Sequence, residues 1–97
     1  MKEIIRKRIV FYGWVQGVGF RFRAKHAADR CGATGWVRNE ADGSVTMEIQ
    51  GTEEEIEKVI LMIEDSSYIR IENMDVTIIP VEERERSFGY RFGPGFF

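Results

Sequence analysis

The spacing of apolar residues changes several times along this chain of 97 residues, and the order of those changes is the strongest constraint on its fold. The segment from Ile4 to Val15 is rich in β-branched and aromatic residues, which favours a strand. From Arg21 to Arg30 the apolar residues recur at helical spacing, and Gly32 follows as a typical C-terminal stop. The first third of the chain is therefore predicted to be a strand, a glycine-containing loop and a helix.

The rest of the chain repeats this arrangement with a hairpin inserted. Trp36 begins a second strand, and Asp42-Gly43 supplies the turn that leads into a third strand starting near Val45. Thr52 and Glu55 form a capping box, which predicts the start of a second helix. Two further segments alternate between apolar and polar residues, which predicts two more strands. The apolar positions are Met74, Val76 and Ile78 in the first and Phe88, Tyr90 and Phe92 in the second, and a charged turn over residues 82–86 separates them.

The predicted order is strand, helix, strand, strand, helix, strand, followed by a short last strand. This is the split βαβ order (βαββαβ) of the ferredoxin-like α+β fold, in which two helices cover one face of an antiparallel sheet. A chain of this length forms one domain, so we expect a single domain over residues 1–97. Because this fold carries many unrelated functions, the function has to be argued from the residues.

Composition excludes several kinds of chemistry. The chain has a single cysteine, Cys31, and a single histidine, His26, so an internal disulfide, a cysteine zinc cage and a multi-histidine metal site are all excluded. Fourteen basic and sixteen acidic residues give a net charge of −2, which predicts no nucleic-acid partner. One local basic cluster, Arg6-Lys7-Arg8, is predicted to be a solvated strand end.

No segment has the pattern of a membrane span or a secretory signal. The longest apolar run, from Ile9 to Val15, is far shorter than the about 20 residues that a bilayer span needs. No small-residue cleavage pattern follows this run. We therefore expect a soluble cytoplasmic protein without a membrane partner.

The stretch most informative about function is the glycine-rich segment 13–21, which joins the first strand to the first helix. Glycines allow several backbone amides to face one point, and a helix N-terminus adds positive potential there. Arg21 adds a permanent cation at the rim. Gly17-Val18-Gly19 lacks the third glycine of a dinucleotide loop, and no Gly-Lys-Ser/Thr sequence is present. From spacing alone, the loop is either a cradle for a phosphate-sized anion or a tight turn.

Two stretches resemble the signatures of a known family. Residues 13–21 read Gly-x-Val-Gln-Gly-Val-x-Phe-Arg, which resembles the first acylphosphatase signature at every specified position. Residues 35–39 read Gly-Trp-Val-Arg-Asn and are followed by Asp-Gly-Ser-Val at 42–45 and by Gly51, which resembles the second signature. The spacing of the two stretches also agrees, so the chain is similar to acylphosphatases over essentially its whole length, although only in pattern after about residue 66.

This resemblance implies roles for particular residues. The arginine that closes the first signature, Arg21, binds the substrate phosphate together with the loop amides, and the asparagine of the second, Asn39, orients the attacking water. The resemblance implies no metal, no cofactor and no covalent phosphoenzyme. Glu40 places a carboxylate near the anion site and is expected to weaken substrate binding if it points inward. The loop amides assigned to the phosphate are those of Gln16, Gly17, Val18, Gly19 and Phe20.

The implied reaction is the hydrolysis of a small-molecule acyl phosphate to a carboxylate and inorganic phosphate, by an enzyme that we expect to be a monomer. The leaving group of an acyl phosphate is a carboxylate, which is stable as an anion at neutral pH, so no general acid is needed to protonate it. Phosphoryl transfer depends largely on positioning and electrostatics. A chain with one histidine and one cysteine is therefore sufficient for this substrate.

Three residues near the loop are predicted to lie outside the site. His26 lies about 140° around the helix from Arg21 and is expected on the surface or in packing. Arg23 is expected to point away from the loop. Cys31 falls on the apolar stripe of the helix and is expected in the core rather than as a nucleophile.

Two alternatives from other classes stay open. An RNA-binding module shares this order of elements but needs stacking aromatics on its central strands, and only the first strand offers them, as Phe11 and Tyr12. A non-catalytic domain that binds phosphate or carbamoyl phosphate would keep the same loop. The aromatic tail Gly93–Phe97 is expected to be a packed or frayed terminus, with partner binding as the alternative.

Overall fold

The computed structural model describes residues 2–92, which form five strands and two helices. The elements are β1 (Ile4–Trp14), α1 (Phe20–Cys31), β2 (Thr34–Asn39), β3 (Val45–Thr52), α2 (Glu53–Glu64), β4 (Arg70–Ile79) and β5 (Phe88–Tyr90). Their order along the chain is the predicted one. The tail Gly93–Phe97 lies outside the described residues, so its predicted packing stays a prediction.

The strands form one sheet with the order β4-β1-β3-β2-β5. β1 lies between β3 and β4 and is antiparallel to both, and β2 and β3 form an antiparallel hairpin. The short β5 runs parallel to β2, with Tyr90 opposite Val37, so the sheet is mixed at this edge. The predicted ferredoxin-like α+β fold is confirmed, and its four long strands are antiparallel as expected.

Both helices pack against each other and on one face of the sheet, around a single apolar core. The fully buried residues Ile9 and Phe11 of β1 lie at the centre of this core. The small side chains of α1 let that helix approach the sheet closely, whereas α2 fills the core with larger ones. The buried residues are Phe20, Ala24, Ala27 and Ala28 in α1 and Ile56, Val59 and Ile63 in α2.

The helix ends form as the sequence predicts. The Thr52 hydroxyl accepts from the Glu55 amide at 3.1 Å, and the Glu55 side chain accepts from the Thr52 amide at 2.8 Å, which completes the capping box of α2. α1 ends before Gly32, whose φ of 78° lies in the left-handed region and whose amide donates to the carbonyl of Ala28.

The face of the sheet away from the helices holds a buried arginine. Arg6 is 2% exposed, and its guanidinium donates to Glu85 at 2.7 Å and to Glu48 at 3.0 Å. Burial disfavours its charge, but hydrogen bonds and attraction from Glu85 and Glu48 outweigh that cost and raise the pKa of Arg6. Arg6 therefore holds the segment that carries Glu85 against the sheet. The prediction of a solvated strand end at Arg6-Lys7-Arg8 is wrong for Arg6.

Gly35 provides a test of this packing. Its φ is +141°, and a β-carbon there would lie 1.9 Å from the carbonyl oxygen of Glu48 on the neighbouring strand. Because two paired backbones would have to separate, Gly35→Ala is expected to lower the free energy of unfolding by about 3 kcal/mol. Urea denaturation measures this change.

Gly89 provides the matched control, because it lies opposite Trp36 and a β-carbon there would meet no atom within 4 Å. Gly89→Ala is expected to change the free energy of unfolding by about 0.5 kcal/mol at most. Equal losses in the two variants would contradict this account of Gly35.

Candidate active site

The loop between β1 and α1 is anchored by buried side chains at both ends. Val15, the first loop residue, is fully buried, and Phe20, the first residue of α1, is nearly so. The ring of Phe20 packs against that of Phe11, with centroids 4.9 Å apart. Residues 16–19 between these anchors are half-buried or exposed, so they form a surface loop with fixed ends.

Two glycines shape this loop. Gly17 and Gly19 have φ values of 73° and 80°, in the left-handed region that favours glycine. A β-carbon at either position would meet no atom within 4 Å, so the space in front of the loop is open. Gly19 is also the N-cap of α1, and it places no side-chain acceptor on the first turn of that helix.

The backbone amides of this loop are available to a ligand. Within the described residues, no protein group accepts a hydrogen bond from the amides of residues 16–20. The first turn of α1 contains no acidic residue that would neutralise the positive end of the helix dipole. The loop therefore presents unoccupied donors and positive potential to one open space, which suits a phosphate-sized anion.

Arg21 lies in the first turn of α1, beside these amides. It is half-buried, and its guanidinium lies 5.9 Å from the centre of the Phe92 ring. No carboxylate in residues 2–92 forms an ion pair with it. A guanidinium whose donors are unoccupied can bind two phosphate oxygens at once.

Asn39 lies at the end of β2, at the same end of the sheet. It pairs with Val45 of β3, which pairs in turn with Phe11 of β1, the strand that leads into the loop. Asn39 is 9% exposed, and its side-chain amide forms no hydrogen bond to the described part of the chain. Within residues 2–92, every side-chain nitrogen or oxygen that is buried from solvent has a hydrogen-bond partner. Because the Asn39 amide has none, it must be in contact with solvent. It is available to a water molecule.

The side chain of Gln16 joins the loop to the hairpin that follows Asn39. Its amide nitrogen donates to the carbonyl of Glu40 at 2.7 Å and to that of Ser44 at 2.8 Å. These bonds bring the two sequence signatures together. Sequence reasoning assigned only the backbone amide of Gln16 to the phosphate and missed this role. The only available signal was its place at a specified position of the first signature.

Local hydrogen bonds order the hairpin itself. Asp42 accepts from the Ser44 hydroxyl at 2.6 Å and from the Ser44 amide at 2.9 Å, and these bonds lower the pKa of Asp42. Glu40 faces Arg38, whose guanidinium lies 2.9 Å from its carboxylate. The charge of Glu40 is therefore paired with a cation, which limits the repulsion that its position beside the site would otherwise cause.

The residues predicted to lie outside the site have other contacts. His26 is exposed and stacks on Phe22, with ring centroids 6.3 Å apart. Arg23 donates to the carbonyl of Met62 at 2.6 Å and so stabilises the C-terminus of α2, where the helix dipole is negative. Cys31 is half-buried, with its sulfur 3.8 Å from that of Met62.

Two surface clefts flank the exposed ring of Phe22 and meet at Gly19. The first, which we call the α2 cleft, has a volume of about 480 Å³, and the second, the β5 cleft, about 300 Å³. Each combines residues that are distant in sequence, so no sequence pattern predicted them. The α2 cleft includes Val18, Gly19, Phe22, His26, Met62 and Tyr68, and the β5 cleft Gly19, Arg21, Phe22, Tyr90 and Phe92.

Other kinds of site find little support in the part of the chain that the structure describes. Among residues 2–92, no three His, Cys, Asp or Glu side chains are grouped to hold a metal ion. No helix within the same residues is long and apolar enough to cross a bilayer. Phe11 is fully buried among core residues, so it is unavailable to stack on a base, and the RNA-binding alternative loses one of its two aromatics.

The fold and the site define a ferredoxin-like α+β domain with an open glycine loop at one end of its sheet, whose backbone amides have no partner within residues 2–92. The family model for acylphosphatase matches residues 7–90. An acylphosphatase from Bifidobacterium longum is 36% identical over 95 residues, which cover 92% of this chain and 94% of that protein. One from Geobacillus kaustophilus is 36% identical over 92 residues, which cover 94% and 98%. The crystal structure of an acylphosphatase from Bacillus subtilis superposes with a TM-score of 0.81 at 30% identity, over 90% of this chain and 98% of that one.

The chain therefore belongs to the acylphosphatase family, an enzyme family that hydrolyses acyl phosphates. The predicted resemblance and the prediction of a hydrolase acting on acid anhydrides are confirmed.

Gln16→Ala tests whether the link between loop and hairpin matters for turnover. It removes the side-chain donor from two carbonyls and is expected to cost about 1–3 kcal/mol of stability. Because Asn39 then loses its fixed position relative to the loop, kcat for benzoyl phosphate is expected to fall about tenfold or more.

Gln50→Ala is the matched control, because Gln50 also bridges two segments through hydrogen bonds to both backbone groups of Glu82, at 3.0 and 2.8 Å. It is expected to lose similar stability and to keep kcat. Equal losses of kcat in both variants would mean that Gln16 contributes only to stability.

Proposed function

We propose that this chain hydrolyses acyl phosphates at its glycine loop, with Arg21 and the amides of residues 16–20 binding the phosphoryl group and Asn39 orienting the attacking water. One observation carries the proposal. One end of the sheet carries a guanidinium, a carboxamide and a row of backbone amides, and none of these groups has a hydrogen-bond or ion-pair partner within residues 2–92. Such donors suit a ligand that carries several acceptor oxygens.

The loop and Arg21 divide the binding of the phosphoryl group between them. Backbone amides are held by the anchored loop, so they reach the phosphate oxygens without losing side-chain entropy. Arg21 adds a full positive charge and a forked pair of donors. Because these donors are in place before the substrate binds, they stabilise charge on the equatorial oxygens without reorganising.

Asn39 has the functional groups needed to orient a water molecule. Its carboxamide offers both an acceptor oxygen and two N–H donors, so it can fix the direction of a lone pair on the water. Its backbone position is set by pairing with Val45, and the bonds from Gln16 hold the following residues against the loop.

The reaction balances without a general acid. The water oxygen forms a bond to phosphorus as the bond from phosphorus to the bridging oxygen breaks, and the electron pair of that bond leaves with the carboxylate. Both water protons stay with the phosphate product, which leaves as dihydrogen phosphate. Attacking and leaving oxygens lie roughly in line in such a transfer.

The same proposal extends to the partners and location of the protein. A small acyl phosphate is its substrate and inorganic phosphate its product, and the protein acts as a monomer in the cytoplasm. The net charge of −2 supports the absence of a nucleic-acid partner. Size-exclusion chromatography with light scattering tests the monomer, and a second species at working concentrations would contradict it.

Arg21→Gln and Asn39→Ala test the assigned roles. Each removes a fixed group that acts on the transition state, so each is expected to lower kcat for benzoyl phosphate by about 100-fold or more while the fold stays intact. Steady-state kinetics and circular dichroism on the same preparations measure the two effects.

Matched controls are Arg30→Gln, in the last turn of α1, and Asn73→Ala, on β4, because both residues are exposed and neither lines the α2 cleft or the β5 cleft. Both controls should retain the parent rate. Retention of the parent rate by either site variant would remove that residue from the mechanism.

A further inference from the structure

The α2 cleft and the β5 cleft share the exposed ring of Phe22, and only one of these two clefts contains Arg21. The α2 cleft is lined by Gly19, Phe22 and Tyr68, and the latter two residues are 71% and 76% exposed. The β5 cleft runs from Gly19 past Arg21. Apolar surface of this extent beside a polar site is typical of ligand binding, and the α2 cleft falls within the about 300–1,000 Å³ of small-molecule sites.

The topology decides which cleft faces the leaving group. Asn39 ends β2, and β5, which carries Tyr90, pairs with β2 at Val37. The β5 cleft therefore lies on the same side of the loop as the water that Asn39 holds. α1 contacts β2 and β5, whereas α2 contacts β3 and the far side of α1, and the chain after α2 leads to β4 at the opposite edge of the sheet. Because attacking and leaving oxygens are in line, the acyl group leaves on the side of the α2 cleft.

We propose that the α2 cleft binds the acyl group of the substrate, and that Phe22 and Tyr68 make the enzyme selective for uncharged, bulky apolar acyl groups such as aromatic ones. This inference rests on the proposed roles of Arg21 and Asn39. Two exposed rings offer apolar surface that an aromatic or branched acyl group would cover, whereas an acetyl group has only one methyl group to place against that surface.

The charged groups of the cleft favour an uncharged acyl group. Arg23 is engaged by the carbonyl of Met62 and lies 3.8 Å from Asp65, so its charge is already paired. Asp65 also lines the cleft, and the same pairing offsets its charge, so neither side chain is left to compensate a charged acyl group for the water that it would lose on binding. The cleft therefore selects an acyl group by its apolar surface and not by its charge.

Calorimetry with two non-hydrolysable analogues tests the proposal without turnover. The analogues are 2-oxo-2-phenylethylphosphonate and 2-oxopropylphosphonate, in which a methylene replaces the bridging oxygen of benzoyl phosphate and of acetyl phosphate. They differ only in that the first carries a phenyl group where the second carries a methyl group. The parent protein is expected to bind the phenyl analogue about tenfold more tightly, because the ring is buried between two aromatic side chains. Tyr68→Ala should reduce this preference to about threefold or less.

Tyr90→Ala is the matched control, since Tyr90 is an exposed tyrosine of the β5 cleft, and it should retain the parent preference. Loss of preference in Tyr90→Ala but not in Tyr68→Ala would overturn the proposal and place the acyl group in the β5 cleft. Equal binding of both analogues by the parent would also overturn it, as would binding of inorganic phosphate alone. Failure to bind even inorganic phosphate would instead refute the phosphate loop, and with it the proposed function.

Discussion

The two hydrogen bonds from the Gln16 side chain to the carbonyls of Glu40 and Ser44 are the link on which the site depends. One end of the loop is fixed by Val15 in the core and the other by Phe20 against Phe11. Asn39, by contrast, is carried by a different strand. Without a direct connection between loop and hairpin, the groups proposed to hold the phosphate and the water would move independently, and small misplacements of this kind are costly in catalysis.

The small number of chemical groups in this site matches the reactivity of its substrate. An acyl phosphate has a leaving group that needs no proton, so the protein has only to bind the phosphoryl group, stabilise its charge and orient one water molecule. In the proposed mechanism, backbone amides, one arginine and one asparagine meet these needs on a chain with a single histidine and a single cysteine. The net charge of −2 does not conflict with anion binding, because the positive potential is local to the loop and the start of α1.

Local sequence predicted the features that depend on neighbouring residues. The capping box at Thr52 and the stop at Gly32 needed only contacts within one turn. The burial of Arg6 could not be predicted, because its partners Glu48 and Glu85 lie 42 and 79 positions away. β4 begins at Arg70, before the alternation that starts at Met74, because most of this edge strand is exposed and its first residues carry no apolar pattern. The roles proposed for Arg21 and Asn39 come from the family resemblance, whereas the α2 cleft exists only after α1 and α2 have packed together.

The central claim is that the glycine loop is where this protein binds phosphate. An NMR titration of the ¹⁵N-labelled protein with inorganic phosphate tests it most directly, because every backbone amide reports separately. We expect saturable shifts that are largest at the amides of residues 16–21 and at the Nε–H of Arg21, with a smaller response at the side-chain amide of Asn39. Largest shifts on the opposite face, around Arg6 and Arg91, or no saturable shift at the loop, would contradict it.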